Sequence, residues 1–114
     1  MSSYVDVAAA GDLADGALLG VTLPDGTAIC LYRRHDEIGA LGGRCTHAEF
    51  AMADGALGED GTIECAWHGA RFDCRSGAVR RHPATDPLPV YAVRVEDGRV
   101  LVGPRIADAV ERSA

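Results

Sequence analysis

Cys45-Thr46-His47 and, after seventeen intervening residues, Cys65-Ala66-Trp67-His68-Gly69 are the stretches on which the reading of this chain turns. Each supplies one thiol and one imidazole. Each histidine is followed by a small residue, Ala48 or Gly69, that lets the backbone approach a ligand. A lone Cys-x-His or Cys-x-x-His says little, but two of them in loop-like sequence point to a metal site. Zinc accepts two thiolates and two imidazoles in a tetrahedron; a mixed-ligand 2Fe-2S centre takes two cysteines on one iron and two histidines on the other. Structural zinc sites usually pair like with like, as Cys-x(2 to 4)-Cys and His-x(3 to 5)-His, whereas here both local pairs are mixed.

Outward from these stretches the pattern is that of short strands. Ala17 to Leu23, the turn Pro24-Asp25-Gly26 and Thr27 to Arg33 predict a hairpin. A second follows where the alternating run Val90 to Val95 meets Arg99 to Val102 across Glu96-Asp97-Gly98, with Asp97-Gly98 a strong tight-turn signal. The glycine-rich middle holds short strand candidates at Thr62 to Glu64 and Arg71 to Asp73. Three prolines in Pro83-Ala84-Thr85-Asp86-Pro87-Leu88-Pro89 predict an irregular loop. Only Ile106 to Arg112 reads as mildly helical.

With 114 residues the chain is a single domain with a modest core. All eleven basic residues are arginine, against seventeen acidic ones, and the net charge of -6 argues against nucleic acid as the main partner. The charge is uneven. Up to Glu64 there are three arginines and eleven acids; from Cys65 onward there are eight arginines and six acids. Arg71, Arg75, Arg80 and Arg81 read either as a solvated hairpin face or as a docking patch for an acidic partner. No stretch approaches the roughly 18 apolar residues of a membrane span. The start, Met1-Ser2-Ser3-Tyr4-Val5-Asp6, lacks the regions of a secretory signal, so a cytoplasmic setting is expected and metal binding outranks disulfides for the four cysteines.

The two ligand stretches, with Arg71-Phe72-Asp73, the Ser76-Gly77 turn, Leu88-Pro89 and the Tyr91 to Val95 strand, closely resemble the Rieske ferredoxins. The resemblance runs from about Tyr4 to Val102, and its specificity resides in residues 45 to 73. It implies an all-β fold, a small antiparallel β-sandwich with a cluster-binding subdomain, over residues 1–104, with 105–114 a C-terminal tail. It implies one 2Fe-2S cluster, with Cys45 and Cys65 on the buried iron and His47 and His68 on the outer one. High-potential members carry extra cysteines in the ligand loops and hydroxyl residues after the second histidine. Phe50, Trp67, Ala70 and Phe72 stand at those places here, which implies a low potential, roughly -150 mV.

The low-potential group resembles the ferredoxin components of bacterial aromatic-ring dioxygenases. That implies an electron carrier without turnover of its own, taking single electrons from a flavin-dependent ferredoxin reductase and delivering them to a terminal Rieske oxygenase by transient docking near His47 and His68. The alternative is a Rieske small subunit of a nitrite reductase or other oxidoreductase complex; a structural zinc module is a third reading. Among the remaining residues, Cys30 reads as a buried core thiol and Cys74, beside a turn, as more exposed, with neither ligating the cluster. His35 and His82 read as surface residues. Phe50 and Trp67 read as core or as a collar around the cluster, and Pro83 to Pro89 as its cover.

Overall fold

The computed structural model describes residues 4–44, 51–66, 69–81 and 87–106. Cys45, His47, Phe50, Trp67, His68 and His82 lie outside the described residues, as do 83–86 and 107–114. The strands are β1 (Val5–Ala9), β2 (Leu18–Thr22), β3 (Ala28–Arg34), β4 (Glu37–Gly42), β5 (Ala56–Leu57), β6 (Thr62–Glu64), β7 (Arg71–Asp73), β8 (Val79–Arg81), β9 (Val90–Glu96) and β10 (Arg99–Ile106). They form two antiparallel sheets: a six-stranded one in the order β1-β10-β9-β4-β3-β2 and a four-stranded one in the order β5-β6-β7-β8. Single 3-10 turns occur at Ala10–Asp12 and Met52–Asp54.

Both expected hairpins form. The first closes through Leu23 N–H donating to Thr27 O at 2.9 Å, while Asp25 Oδ1 accepts from Thr27 N–H. In the second, Asp97 (φ 52) and Gly98 (φ 75) both adopt the left-handed conformation that a tight two-residue hairpin turn requires. Ile106, expected to begin a mildly helical tail, instead ends β10 paired with Val90, so strand pairing continues past residue 104. Pro104 is accommodated because β10 bulges between Val102 and Arg105, where the ladder needs no donor.

β3 explains how the two halves meet. Ile29 and Leu31 point into a core inside the six-stranded sheet, with Leu13, Ala40, Val100 and Val102. Cys30 and Tyr32 point into a second core shared with Leu41, Ile63, Phe72, Leu88 and Val90. Apolar on both faces, Ala28 to Tyr32 reads as a continuous run rather than an alternation. Each large side chain fully buried here contributes about 1.5–3 kcal/mol. The four-stranded sheet lies over the second core through Ile63 and Phe72, both 0% exposed.

Candidate metal centre

Two six-residue stretches carry the candidate ligands, and each is bracketed by a pair of facing residues. Residues 45–50 fall between Arg44 and Ala51, which pair in an isolated antiparallel bridge. Residues 65–70 fall between Glu64 and Arg71, the last pair of the β6–β7 ladder. In both stretches the cysteine is the first residue beyond the pair. The second loop is further closed by Cys65 N–H donating to Ala70 O at 2.7 Å, with Gly69 in the left-handed region at φ 71. The first is flanked by Met52 N–H donating to Gly43 O at 2.8 Å.

A close backbone approach brings the two brackets together. The Met52–Asp54 turn follows the first stretch, and Gly55 then lies so near Glu64 O that a β-carbon at position 55 would collide with it. Ala56 pairs with Glu64 immediately afterwards. The exit of one ligand stretch is thus fixed against the entrance of the other. Leu88 N–H donates to Gly77 O, and Pro89 O accepts from Gly42 N–H, both at 2.8 Å, so the described end of the proline loop is tied to both sheets.

Of the four expected ligands, Cys65 is among the described residues. It is 1% exposed in the inter-sheet core, beside a cavity of about 400 Å3 bordered by Asp54, Gly55, Glu64, Ala66 and Gly69. These observations fit a bound cluster: a buried sulfur at the base of a closed loop, room beside it, and backbone close approach at Gly55. Cys45, His47 and His68 lie outside the described residues.

The other titratable side chains are placed by the same packing. Cys30 is 0% exposed and burial pushes its thiol up to about 12. Cys74 corrects an expectation: it is 2% exposed, and burial raises its thiol while a hydrogen bond with Tyr32 acts in the opposite direction. Its place next to a turn misled, because Cys74 N–H donates to Gly61 O and draws the side chain inward. Both are free thiols held protonated, which makes them poor metal ligands. His35 is exposed, as expected, in the two-residue turn between β3 and β4.

Three of the four clustered arginines are internally paired. Arg75 forks onto Glu37, with contacts of 2.6 and 3.0 Å; Arg80 donates to Asp73 Oδ2 at 2.8 Å; Arg71 faces Glu64 at 3.6 Å and Asp60 at 3.9 Å. This arrangement fits the solvated hairpin face rather than a basic patch. Sequence reasoning missed the straps that join the sheets, Arg75 to Glu37 and Arg34 Nη2 donating to Glu59 O at 2.8 Å. Nothing local announces them, since the first joins residues 38 positions apart and the second 25.

Two antiparallel sheets, with two bracketed stretches that each offer a cysteine and a histidine, define the class first: a β-protein whose candidate ligands suit a metal centre. The Rieske [2Fe-2S] domain model matches residues 3–92, and the chain belongs to that family, with one 2Fe-2S cluster as its cofactor. It is 38% identical over 104 residues to the ferredoxin component of the p-cumate 2,3-dioxygenase system of Pseudomonas putida, covering 90% of this chain and 86% of that one. To the ferredoxin component of the naphthalene 1,2-dioxygenase system of Pseudomonas putida it is 36% identical, covering 87% and 93%. A solved complex of reduced oxygenase and oxidised ferredoxin in carbazole 1,9a-dioxygenase contains a chain with the same fold: TM-score 0.86, 29% identity, 95% of this chain and 100% of that one. Among the described residues no helix is long and apolar enough to cross a membrane.

Proposed function

We propose that this chain is the ferredoxin component of a dioxygenase system, in which Cys45 and Cys65 bind one iron of the cluster and His47 and His68 the other. It receives single electrons from a flavin-dependent ferredoxin reductase and passes them to a terminal Rieske oxygenase. The observation that carries the ligand assignment is the matched pair of six-residue stretches, each opening on its cysteine beyond a facing pair and joined through Gly55. When bound, the cluster supplies a one-electron couple. The chain's own part is to bury the Cys65 sulfur, to close the second loop through Cys65 and Ala70, and to anchor the proline loop at Gly42 and Gly77.

Docking is taken to involve His47 and His68, with Phe50 and Trp67 close to them in sequence, and contact is brief. Support for a one-electron carrier also comes from the named relatives, which are ferredoxin components of dioxygenase systems. The same relatives leave less support for a nitrite reductase small subunit. A cytoplasmic setting is part of the same reading, which rests on the likeness to components of dioxygenase systems.

The test is an aerobic preparation of the full chain examined by visible and spin-resonance spectra and by redox titration. A reduced mixed-ligand signal with a midpoint near -150 mV is expected. His47→Cys and His68→Cys should each abolish that signal. A colourless zinc protein overturns the ligand reading, and a midpoint above about +200 mV overturns the low-potential one.

A further inference from the structure

The bracket of the second ligand loop is charged, and its geometry is specific. Glu64 precedes Cys65 and Arg71 follows Ala70, and the two face each other across the β6–β7 ladder. The Glu64 carboxylate leans back towards the loop: Oε2 lies 3.2 Å from where a β-carbon on Gly69 would sit, close enough that a side chain there would press on it. Arg71 stands on the same face. Its Nε is shut off from solvent and has no hydrogen-bond partner among the described residues, yet it lies 3.6 Å from Glu64 Oε2. Nη1 of the same guanidinium reaches Asp60 Oδ2 at 3.9 Å. Both side chains of the pair are 38% exposed, so their fields are only partly screened by water.

We propose that Glu64 and Arg71 are positioning residues that set the charge balance of the cluster from the base of its second loop. The proposal rests on the reading that Cys65 and His68 are ligands. Reduction by a flavin-dependent reductase adds one electron, and so one negative charge, at this loop. The Glu64 carboxylate disfavours that charge and the Arg71 guanidinium favours it, while Arg71 holds the carboxylate against Gly69. The pair is therefore a divider: each member moves the potential in its own direction, and together they largely cancel.

Redox titration of the full holoprotein, read from the visible band, separates this from a merely structural pair. Glu64→Gln should raise the midpoint and Arg71→Gln should lower it, each changing the reduced-to-oxidised ratio at fixed solution potential by about threefold, or roughly 28 mV. The double variant should return close to the wild-type value, Arg71→Lys should keep it, and 1 M salt should shrink the single shifts. Shifts of the same sign, shifts in neither variant, or an Arg71→Lys protein as perturbed as Arg71→Gln each overturn the proposal. If Arg71→Gln does not retain its cluster, Glu64→Gln and the salt response decide alone: a midpoint that does not rise, or a rise that salt leaves untouched, overturns it. A wild-type protein without the mixed-ligand spectrum overturns the ligand reading itself, a different result from a normal spectrum with unmoved potentials.

Discussion

The six-stranded and four-stranded sheets share one apolar core, but they are built on different terms. Strands of five to eight residues make up the first, among them β3, which is buried on both faces, and β10, which pairs on both sides. Its register is fixed by its own buried side chains and tight turns. The second has strands of only two or three residues, and among the described residues Ile63 and Phe72 are its fully buried large side chains. It is tied down from outside, by Arg75 on Glu37, by Arg34 on the Glu59 carbonyl, and by the Gly77 to Leu88 hydrogen bond. A sheet this small buries too little to stand alone, so the metal it carries becomes part of its stability.

Removing the cluster should break the comparison open most widely. Hydrogen exchange on the apo chain is expected to show amides of β6 and β7 exchanging at least roughly a hundredfold faster, while those of β3, β9 and β10 keep most of their protection. Uniform loss across both sheets would mean that the larger one also depends on the cluster. Uniform retention would mean that the smaller one does not.

A pair of core truncations sharpens the same point. Phe72→Ala removes the main anchor of the small sheet, directly after the ligand loop, and should cost about 3–5 kcal/mol; Leu31→Ala, in the larger sheet's own core, should cost about 2–5 kcal/mol. The sizes overlap but the readouts should not. With Phe72→Ala the visible cluster band is expected to bleach well below the temperature at which far-ultraviolet β signal melts, and with Leu31→Ala the two transitions should move down together. Coincident transitions in Phe72→Ala would show that the sheets unfold as one unit.

The same contrast governs what could be read from the chain. The Asp25-Gly26 and Asp97-Gly98 turns and the double-faced run of β3 are local signals, and the two hairpins were legible from them. β4 was not, because Gly39 and Gly42 look like loop residues. Gly39 pairs with Tyr32 of β3, and a β-carbon there would collide with the Tyr32 ring, so the strand accepts a glycine at this position. The β6 and β7 strands were visible as short runs, whereas β5 and β8 form only once the neighbouring strands exist to pair with. At the site, spacing singled out Cys65, the one expected ligand among the described residues, but the opposed charges of Glu64 and Arg71 had no meaning until the hairpin put them face to face.

The smallest expected effect lies where the small sheet's last turn is capped by a carboxylate. Burial acts to raise the Asp73 carboxyl, but the backbone N–H groups of Ser76 and Arg75 and the Arg80 guanidinium outweigh it, and the group is held below the ordinary value of 3.8. A depressed carboxyl stabilises the fold fully above its unfolded pKa and loses that contribution as pH falls through the lower, folded value. Stability of the β7–β8 turn should therefore decline below about pH 4, whereas Asp73→Asn should lose about 1 kcal/mol at pH 7 and less as the pH falls. Asp6, Asp25 and Asp60 are lowered in the same window, so some acid slope persists in the variant and the informative quantity is the difference between the two curves. The curves are expected to converge in acid. Parallel curves would assign the acid limb to carboxylates outside the small sheet and would remove Asp73 from the set of ties that hold it.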